Sequence, residues 1–146
     1  MSTEIWVALI GGVVVLVGIV LAQRLSTGAA DKVRRGVAYP EFVLAMEAFA
    51  GLALNEPRGT RIIEANAAAG QLVVKLNGVA SQRGLNAAMA WLSAGRNVWA
   101  AKATYEVSGQ EEKARLPGTW VDLQAAVTDL TRCRTAFGTV MAHEIR

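Results

Sequence analysis

The sequence predicts an all-α protein in which a single N-terminal transmembrane helix is followed by a small antiparallel helical bundle. Two observations carry this prediction. An uncharged apolar stretch lies near the N-terminus, and much of the 53% hydrophobic content is concentrated there. The remaining chain places apolar residues at steps of three and four, which is the spacing of one helical face.

Residues 5–22 read IWVALIGGVVVLVGIVLA and form the predicted transmembrane helix. At 1.5 Å per residue this helix is about 27 Å long, close to the thickness of a hydrocarbon core. Trp6 is placed where an interfacial aromatic belongs. The alternatives are a buried core helix, which usually has a polar face, and a cleaved signal peptide, which usually begins with basic residues. Residues 1–4 are Met-Ser-Thr-Glu, so a retained anchor is favoured.

Basic residues set the predicted orientation. Residues 1–4 contain no Lys or Arg, and four basic residues follow the helix: Arg24, Lys32, Arg34 and Arg35. Because Lys and Arg stay on the cytoplasmic side, residues 1–4 are predicted to form a short external tail of a protein in the cell (inner) membrane. Residues 23–39 are predicted to be a basic juxtamembrane linker. Its four basic residues contact anionic lipid in one interpretation and only set the topology in the other.

One face of the predicted transmembrane helix is built almost entirely from small residues. Its positions are Ala8, Gly11, Val15, Gly18 and Ala22. Small residues let two helix backbones approach closely, so this face predicts self-association. The alternative is that Gly and Ala are simply common in membrane helices.

Three or four helices are predicted to pack in the cytoplasmic region, residues 40–146, with the first of them as a short bridge from the membrane. The first covers residues 40–55 and begins at a proline, which suits the first helical position. The second covers residues 60–83 and is expected to stop at Gly84, and the third covers residues 85–107. A polar loop follows, and the fourth helix opens at Pro117-Gly118-Thr119, with the threonine as its cap.

Aromatic residues on the third helix suggest a packing surface. This helix is apolar around much of its circumference, so it is expected to be central or covered by a partner. The predicted bundle or partner interface consists of Trp91, Trp99, Tyr105 and, on the fourth helix, Arg134. Arg134 interrupts an apolar stripe. It is expected to reach the edge of the bundle, or else to pair with a buried acid and fix the helix register.

No catalytic, cofactor-binding or metal motif is found. The chain has one histidine, His143, in a terminal stretch expected to fray, and one cysteine, Cys133, beside an apolar stripe. One His and one Cys cannot complete a structural zinc site within one chain. The formal net charge of +3 is small and its charges are interspersed, which does not favour nucleic acid. No cofactor and no small-molecule substrate are therefore predicted.

These observations predict a non-enzymatic, membrane-anchored helical scaffold or interaction protein. Its expected partners are the lipid bilayer and either copies of itself or another helical protein. The alternative function is a small membrane-perturbing effector of the phage lysis or defence type, with which a glycine-rich anchor and a basic stretch also agree. An enzymatic function would require a catalytic carboxylate site, and no sequence motif indicates one.

Overall fold

The computed structural model of the protein describes the backbone of residues 3–110 and 117–146, and the side chains of residues 28–107 and 118–146. Four helices account for this backbone: α1 (Thr3–Asn55), α2 (Thr60–Asn77), α3 (Gln82–Gln110) and α4 (Pro117–Ile145). No strand occurs in these ranges. The prediction of an all-α protein is confirmed.

The chain divides into two compact units, residues 1–34 and 35–146. The first unit is helical from Thr3 onward. The second unit is a helical bundle that contains the remainder of α1 together with α2, α3 and α4. The predicted helical bundle is therefore present.

Helix α1 is longer at its N-terminal end than the sequence predicts. The predicted start at Pro40 is wrong, because residues 23–39 are helical and Pro40 lies inside α1. A proline within a helix lacks the N–H that would bond the carbonyl four residues earlier, here that of Gly36. Tyr39 and Phe42, on either side of the proline, are completely buried. Their packing stabilises a helical backbone that local propensity disfavours.

The boundary between α2 and α3 also differs from the prediction. Helix α2 ends at Asn77, and the Ala80 N–H donates to the Leu76 carbonyl at 2.7 Å to close the turn. Helix α3 then starts at Gln82, and Ser81 caps it by accepting a 3.0 Å hydrogen bond from the Gly84 N–H. Gly84 therefore lies in the first turn of α3 and does not terminate the helix before it.

Other helix ends agree with the sequence. The end of α1 at Asn55, the start of α2 at Thr60 and the opening of α4 at Pro117 fall where they were predicted. Gly59 precedes α2 with a φ of 107°, a left-handed conformation that favours glycine. Thr119, by contrast, lies inside α4 and is not its cap.

Aromatic side chains join three of the helices in the core of the bundle. Phe42 of α1 meets Trp91 of α3 with ring centroids 5.7 Å apart, and it meets Phe137 of α4 at 5.1 Å, both edge to face. Phe49 and Trp99 form a third edge-to-face pair at 6.1 Å. Such pairs contribute about 0.5–1.5 kcal/mol each beyond the burial of their area. The central part of the second unit is thus held together by these rings.

Helix α2 covers this core with a narrow apolar face. Its buried residues are Ile62, Ala69 and Leu76, each seven residues from the next. A spacing of seven places all three on one side of the helix, as in a coiled-coil seam. The small Ala69 in the middle allows α2 to approach its neighbours.

Helices α1 and α3 approach closely at Gly95. A Cβ atom added at this glycine would lie 2.9 Å from Cε1 of Phe49 and 3.4 Å from Cε of Met46. Neither neighbour is free to move away, because Phe49 and Met46 are both completely buried. The absence of a side chain at this position is therefore a requirement of the packing.

One helix near the N-terminus is long and apolar enough to span a membrane. Among residues with described side chains the stretch concerned is Gly28–Asn55 of α1. Part of its apolar character is explained by the bundle, since Phe42, Met46 and Phe49 are core residues. The predicted spanning stretch, residues 5–22, lies outside the described side chains, and so do its small-residue face (Ala8, Gly11, Val15, Gly18 and Ala22) and Arg24.

Candidate functional site

A polar cluster lies where the end of α4 meets α1 and the turn before α3. We call it the Glu144 cluster, and it consists of Arg35, Tyr39, Ser81 and Glu144. The Tyr39 hydroxyl donates to Oε2 of Glu144 and the Ser81 hydroxyl donates to Oε1. The Ser81 N–H donates to Oε2 at 3.4 Å, and Nη1 of Arg35 lies 3.9 Å from the same oxygen. Both oxygens of a carboxylate that is only 10% exposed are thereby satisfied.

Helix ends and a turn position these groups. Arg35 is itself fixed by a 2.6 Å hydrogen bond from its Nε to the Val79 carbonyl, in the turn between α2 and α3. Gly84 is buried beside the cluster, and a Cβ atom there would collide with the Tyr39 hydroxyl and the Glu144 carboxylate. The cluster thus connects α1, the α2–α3 turn and the last turn of α4.

The electrostatics of the cluster favour an ionised Glu144. Burial by itself raises the pKa of Glu144, but hydrogen bonds from Ser81 and Tyr39 and the charge of Arg35 outweigh it, so the pKa lies below its ordinary value. Burial raises the pKa of Tyr39, and the adjacent carboxylate raises it further. At neutral pH Glu144 is therefore an acceptor and Tyr39 a donor, which suits a structural contact. A carboxylate with a lowered pKa is a weak base toward the Ser81 hydroxyl.

No sequence motif marks the Glu144 cluster. Arg35 and Glu144 are more than one hundred residues apart, and the last turn of the chain was expected to fray. The structure instead ties this turn to the bundle through Glu144. A local signal that could have been used is the residue type of Ser81, because serine favours the position before a helix, although residues 60–83 were predicted as one helix.

The structure places two of the predicted interface residues in or against the core. Trp91 is 2% exposed and packs against both Phe42 and Phe137, with its indole N–H unpaired among the described groups. Trp99 is partly buried, and its Nε1 donates a 2.6 Å hydrogen bond to the Pro57 carbonyl. The two tryptophans therefore pack the bundle and fix the loop before α2.

Tyr105 and Arg134 lie toward the surface. The Tyr105 ring is 5.5 Å from that of Trp120, and Nζ of Lys102 lies 5.8 Å from the Tyr105 centroid. Arg134 has a 60% exposed side chain, with Nε 2.6 Å from Oε1 of Glu47. This contact lacks the geometry of a hydrogen bond and is an ion pair. Arg134 thus reaches the edge of the bundle, as expected, and its acidic partner is itself partly exposed.

A shallow groove opens beside Tyr105. Its volume is about 530 Å³, and Leu54, Lys102, Trp120, Leu123 and Val127 contribute to its walls. Trp120 is about half exposed. Exposed aromatic residues are enriched at protein interfaces.

The basic residues beside the predicted anchor differ from one another in the structure. Arg35 is bound by Val79 and Glu144, so its guanidinium belongs to the Glu144 cluster. Lys32 and Arg34 are exposed in the first unit. Engagement of anionic lipid by Lys32 and Arg34 stays a prediction.

Cys133 and His143, the one cysteine and the one histidine of the sequence, both lie on α4. Burial raises the pKa of the Cys133 thiol, and the neighbouring Asp129 raises it further, which disfavours the nucleophilic thiolate. His143 is exposed in the last turn. Among the residues with described side chains, no group of three His, Cys, Asp or Glu could hold a metal ion.

Comparison with known proteins gives no relative: no protein family, no curated protein and no solved structure matches the chain. The fold and the contacts define a helical-bundle protein with a long apolar N-terminal helix. Its function is inferred below from its own residues.

Proposed function

We propose that the protein is a membrane-anchored helical interaction module that associates with copies of itself or with another helical protein. The observation that carries the proposal is the stretch of residues 5–22, which is uncharged and lies within α1. Helical backbone satisfies its own hydrogen bonds, which a hydrocarbon environment requires of any spanning segment. Residues 5–22 are therefore the proposed anchor.

The proposed orientation places the N-terminus outside the cell and the bundle in the cytoplasm. Arg24, Lys32 and Arg34 follow the anchor, and residues 1–4 contain no basic side chain. Basic residues close to a spanning helix favour the cytoplasmic side. Each of them near an anionic leaflet contributes about 1 kcal/mol of attraction, so this part of α1 is proposed to lie against the inner surface.

The bundle is proposed to have an antiparallel arrangement of neighbouring helices. Tyr39, early in the bundle part of α1, packs against Phe137, near the end of α4. Leu54, at the end of α1, shares a groove with Leu123, near the start of α4. Residue numbers that run in opposite directions along a contact support an antiparallel pair.

A scaffold role, without catalysis, agrees with the chemistry of the described polar groups. The Glu144 carboxylate is saturated with donors and its pKa is lowered, so it is poorly suited to accept a proton at neutral pH. Cys133 has a raised pKa, so it is poorly suited to attack as a thiolate. These properties support structural roles for both residues.

Membrane fractionation of the full chain tests the proposed anchor. The wild-type protein is expected in the membrane fraction, released by detergent and resistant to alkaline carbonate. A double variant, Val14→Arg with Val17→Arg, is expected to move largely to the soluble fraction, because each arginine at the centre of a spanning helix costs about 2.5–3.5 kcal/mol on insertion scales. Wild-type protein in the soluble fraction would refute the anchor.

A matched control separates anchoring from general effects of charge. Val74 and Val121 are 74% and 60% exposed on the bundle, so arginine at both sites adds the same charge without entering the predicted anchor. This control variant should remain in the membrane fraction. If both double variants distribute alike, membrane attachment does not depend on residues 5–22.

A further inference from the structure

Helix α1 has an apolar face that the described part of the chain does not cover. We call it the outer face of α1, and it consists of Val37, Pro40, Leu44, Ala48 and Gly51. Val37 is 56% exposed and Leu44 is 72% exposed. A Cβ atom at Gly51 would have no neighbour within 4 Å. Steps of three and four align these residues along one side of the helix for about 21 Å.

The outer face lies opposite the buried side of α1. Tyr39, Phe42, Met46 and Phe49 form the buried side and are completely inaccessible. At 100° per residue the outer face points about 180° away from them. The bundle part of α1 is thus apolar on two opposite sides, and a helix that is apolar on both sides is normally covered on both.

Two ion pairs border the outer face. On one side Glu41 pairs with Lys75 of α2, with Nζ and Oε2 2.5 Å apart. On the other side Glu47 pairs with Arg134 of α4. Each border therefore holds one acid and one base, and the centre holds none. An apolar centre with a charged rim is the composition of a protein interface.

We infer that the outer face of α1 is the surface on which a second copy of this chain packs. Each rim is neutral and carries both signs, so two copies can meet with opposite charges opposed and without net repulsion. In a two-fold pair the same residues face each other, and Leu44, at the middle of the face, lies closest to its counterpart. A strongly acidic or basic partner would not need such a balanced rim.

A lipid surface fits the outer face less well than a second copy does. Each edge holds one acid, Glu41 or Glu47, paired with one base, so neither edge offers the net positive charge that an anionic leaflet attracts. The basic side chains of the same edges, those of Lys75 and Arg134, are already paired with these acids. The balanced charge therefore favours protein over lipid.

The size of the face indicates that the pairing needs help from the membrane. A single helix face about 21 Å long provides less area than the ~800 Å² per partner of a standard stable interface. Anchoring in a shared bilayer raises the effective concentration of the second copy and favours pairing. The inference therefore rests in part on the proposed function, because the proposed anchor raises the effective concentration of the second copy.

Disulfide crosslinking of the full chain tests the inference. The variant Leu44→Cys is made in a Cys133→Ser background, so that it carries a single cysteine, and membranes containing it are oxidised with copper phenanthroline. We expect a disulfide-linked dimer as the main product, because a two-fold contact brings the two thiols within reach. The matched control is Ile63→Cys in the same background, since Ile63 is 58% exposed on α2. We expect the control to form at least tenfold less dimer.

A second variant tests the face without relying on disulfide geometry. Leu44→Glu places a carboxylate in the centre of the interface, where its burial is unfavourable. We expect at least tenfold weaker association of the full chain in lipid vesicles, measured by energy transfer between labelled copies, whereas Ile63→Glu should associate like the wild type. Equal association of Leu44→Glu and wild type would overturn the inference, and so would a monomeric wild type.

Two further outcomes identify other occupants or separate the two proposals. If the single thiol of a monomeric Leu44→Cys variant reacts with lipid-soluble but not with water-soluble maleimide, lipid covers the outer face and the inference fails. Membrane fractionation of the same preparation tests the proposed anchor independently of the pairing. A soluble protein that still pairs through Leu44 refutes the anchor alone, and a membrane-bound monomer refutes the pairing alone.

Discussion

At the scale of single residues, Glu144 illustrates how one buried carboxylate can hold the end of a chain. Replacing it by glutamine removes the charge that faces Arg35 and leaves an amide among three donors. We predict that Glu144→Gln lowers the free energy of unfolding by about 1–3 kcal/mol, the usual range for disrupting a buried hydrogen-bonded group. Urea denaturation of the full chain in detergent measures the change.

The pH dependence gives this prediction a second readout. The pKa of Glu144 in the folded state lies below its ordinary value, so its stabilising contribution is complete above that value and is lost as the pH falls through the folded-state pKa. The difference between wild type and Glu144→Gln should therefore shrink under acidic conditions. Glu64→Gln, at an exposed position, should stay within about 0.5 kcal/mol of wild type at all pH values. A constant difference for Glu144→Gln across the acidic range would contradict the assignment.

The sequence does not show contacts between side chains that lie far apart in the chain. Ser81 was predicted to lie inside a helix covering residues 60–83, but it caps α3, and its bond to Glu144 joins two elements that the sequence does not relate. Trp91 and Trp99 could be read as packing residues from their spacing. The partner of Arg134 could not be named in advance, because choosing Glu47 requires knowing which faces of α1 and α4 meet.

At the scale of elements, the close contact of α1 and α3 depends on Gly95. We predict that Gly95→Ala lowers the free energy of unfolding by about 1–3 kcal/mol, because the new methyl group would press on the buried ring of Phe49. The helical position itself favours alanine by about 0.5–1 kcal/mol, so a loss of stability would report the packing alone. Thermal or urea denaturation measures it.

The control for this prediction is another helical glycine. Gly138→Ala in α4 adds a methyl group with no neighbour within 4 Å, so it should raise the free energy of unfolding by about 0.5–1 kcal/mol. Opposite signs for the two substitutions would confirm that α1 and α3 touch at Gly95. A stabilising Gly95→Ala would show that the two helices are further apart than described.

The sequence predicted some helix ends correctly and misplaced others. The end of α1 at Asn55 and the opening of α4 at Pro117 fall where the sequence predicted them. Pro40 was misread, because proline suits a first turn as well as an interior position that packing holds in place. Gly84 was misread for a similar reason, since a glycine can end a helix or leave room for Tyr39 and Glu144.

At the scale of the whole molecule, the spacing of apolar residues predicted the helical bundle, because burial follows periodicity. Residues at steps of three and four occur on both apolar sides of α1, so the spacing did not reveal that the second side stays exposed. Phe42 and Leu44 are only two residues apart, yet the first is completely buried and the second is largely exposed. Only the positions of α2, α3 and α4 decide which side becomes core. The outer face of α1 could therefore be identified only from the tertiary structure.

The composition of the predicted anchor does not favour a membrane-perturbing effector that acts by forming a water-filled pore. A water-filled pore needs polar side chains along its lumen, and residues 5–22 contain no charged, amide or hydroxyl side chain. We predict that induced expression of the full chain leaves the membrane potential of the host unchanged, as measured with a potential-sensitive dye. The Leu44→Glu variant, in which pairing is weakened, serves as the control for oligomer-dependent damage. Rapid depolarisation by the wild type but not by this variant would contradict the scaffold and favour an effector that acts as an oligomer.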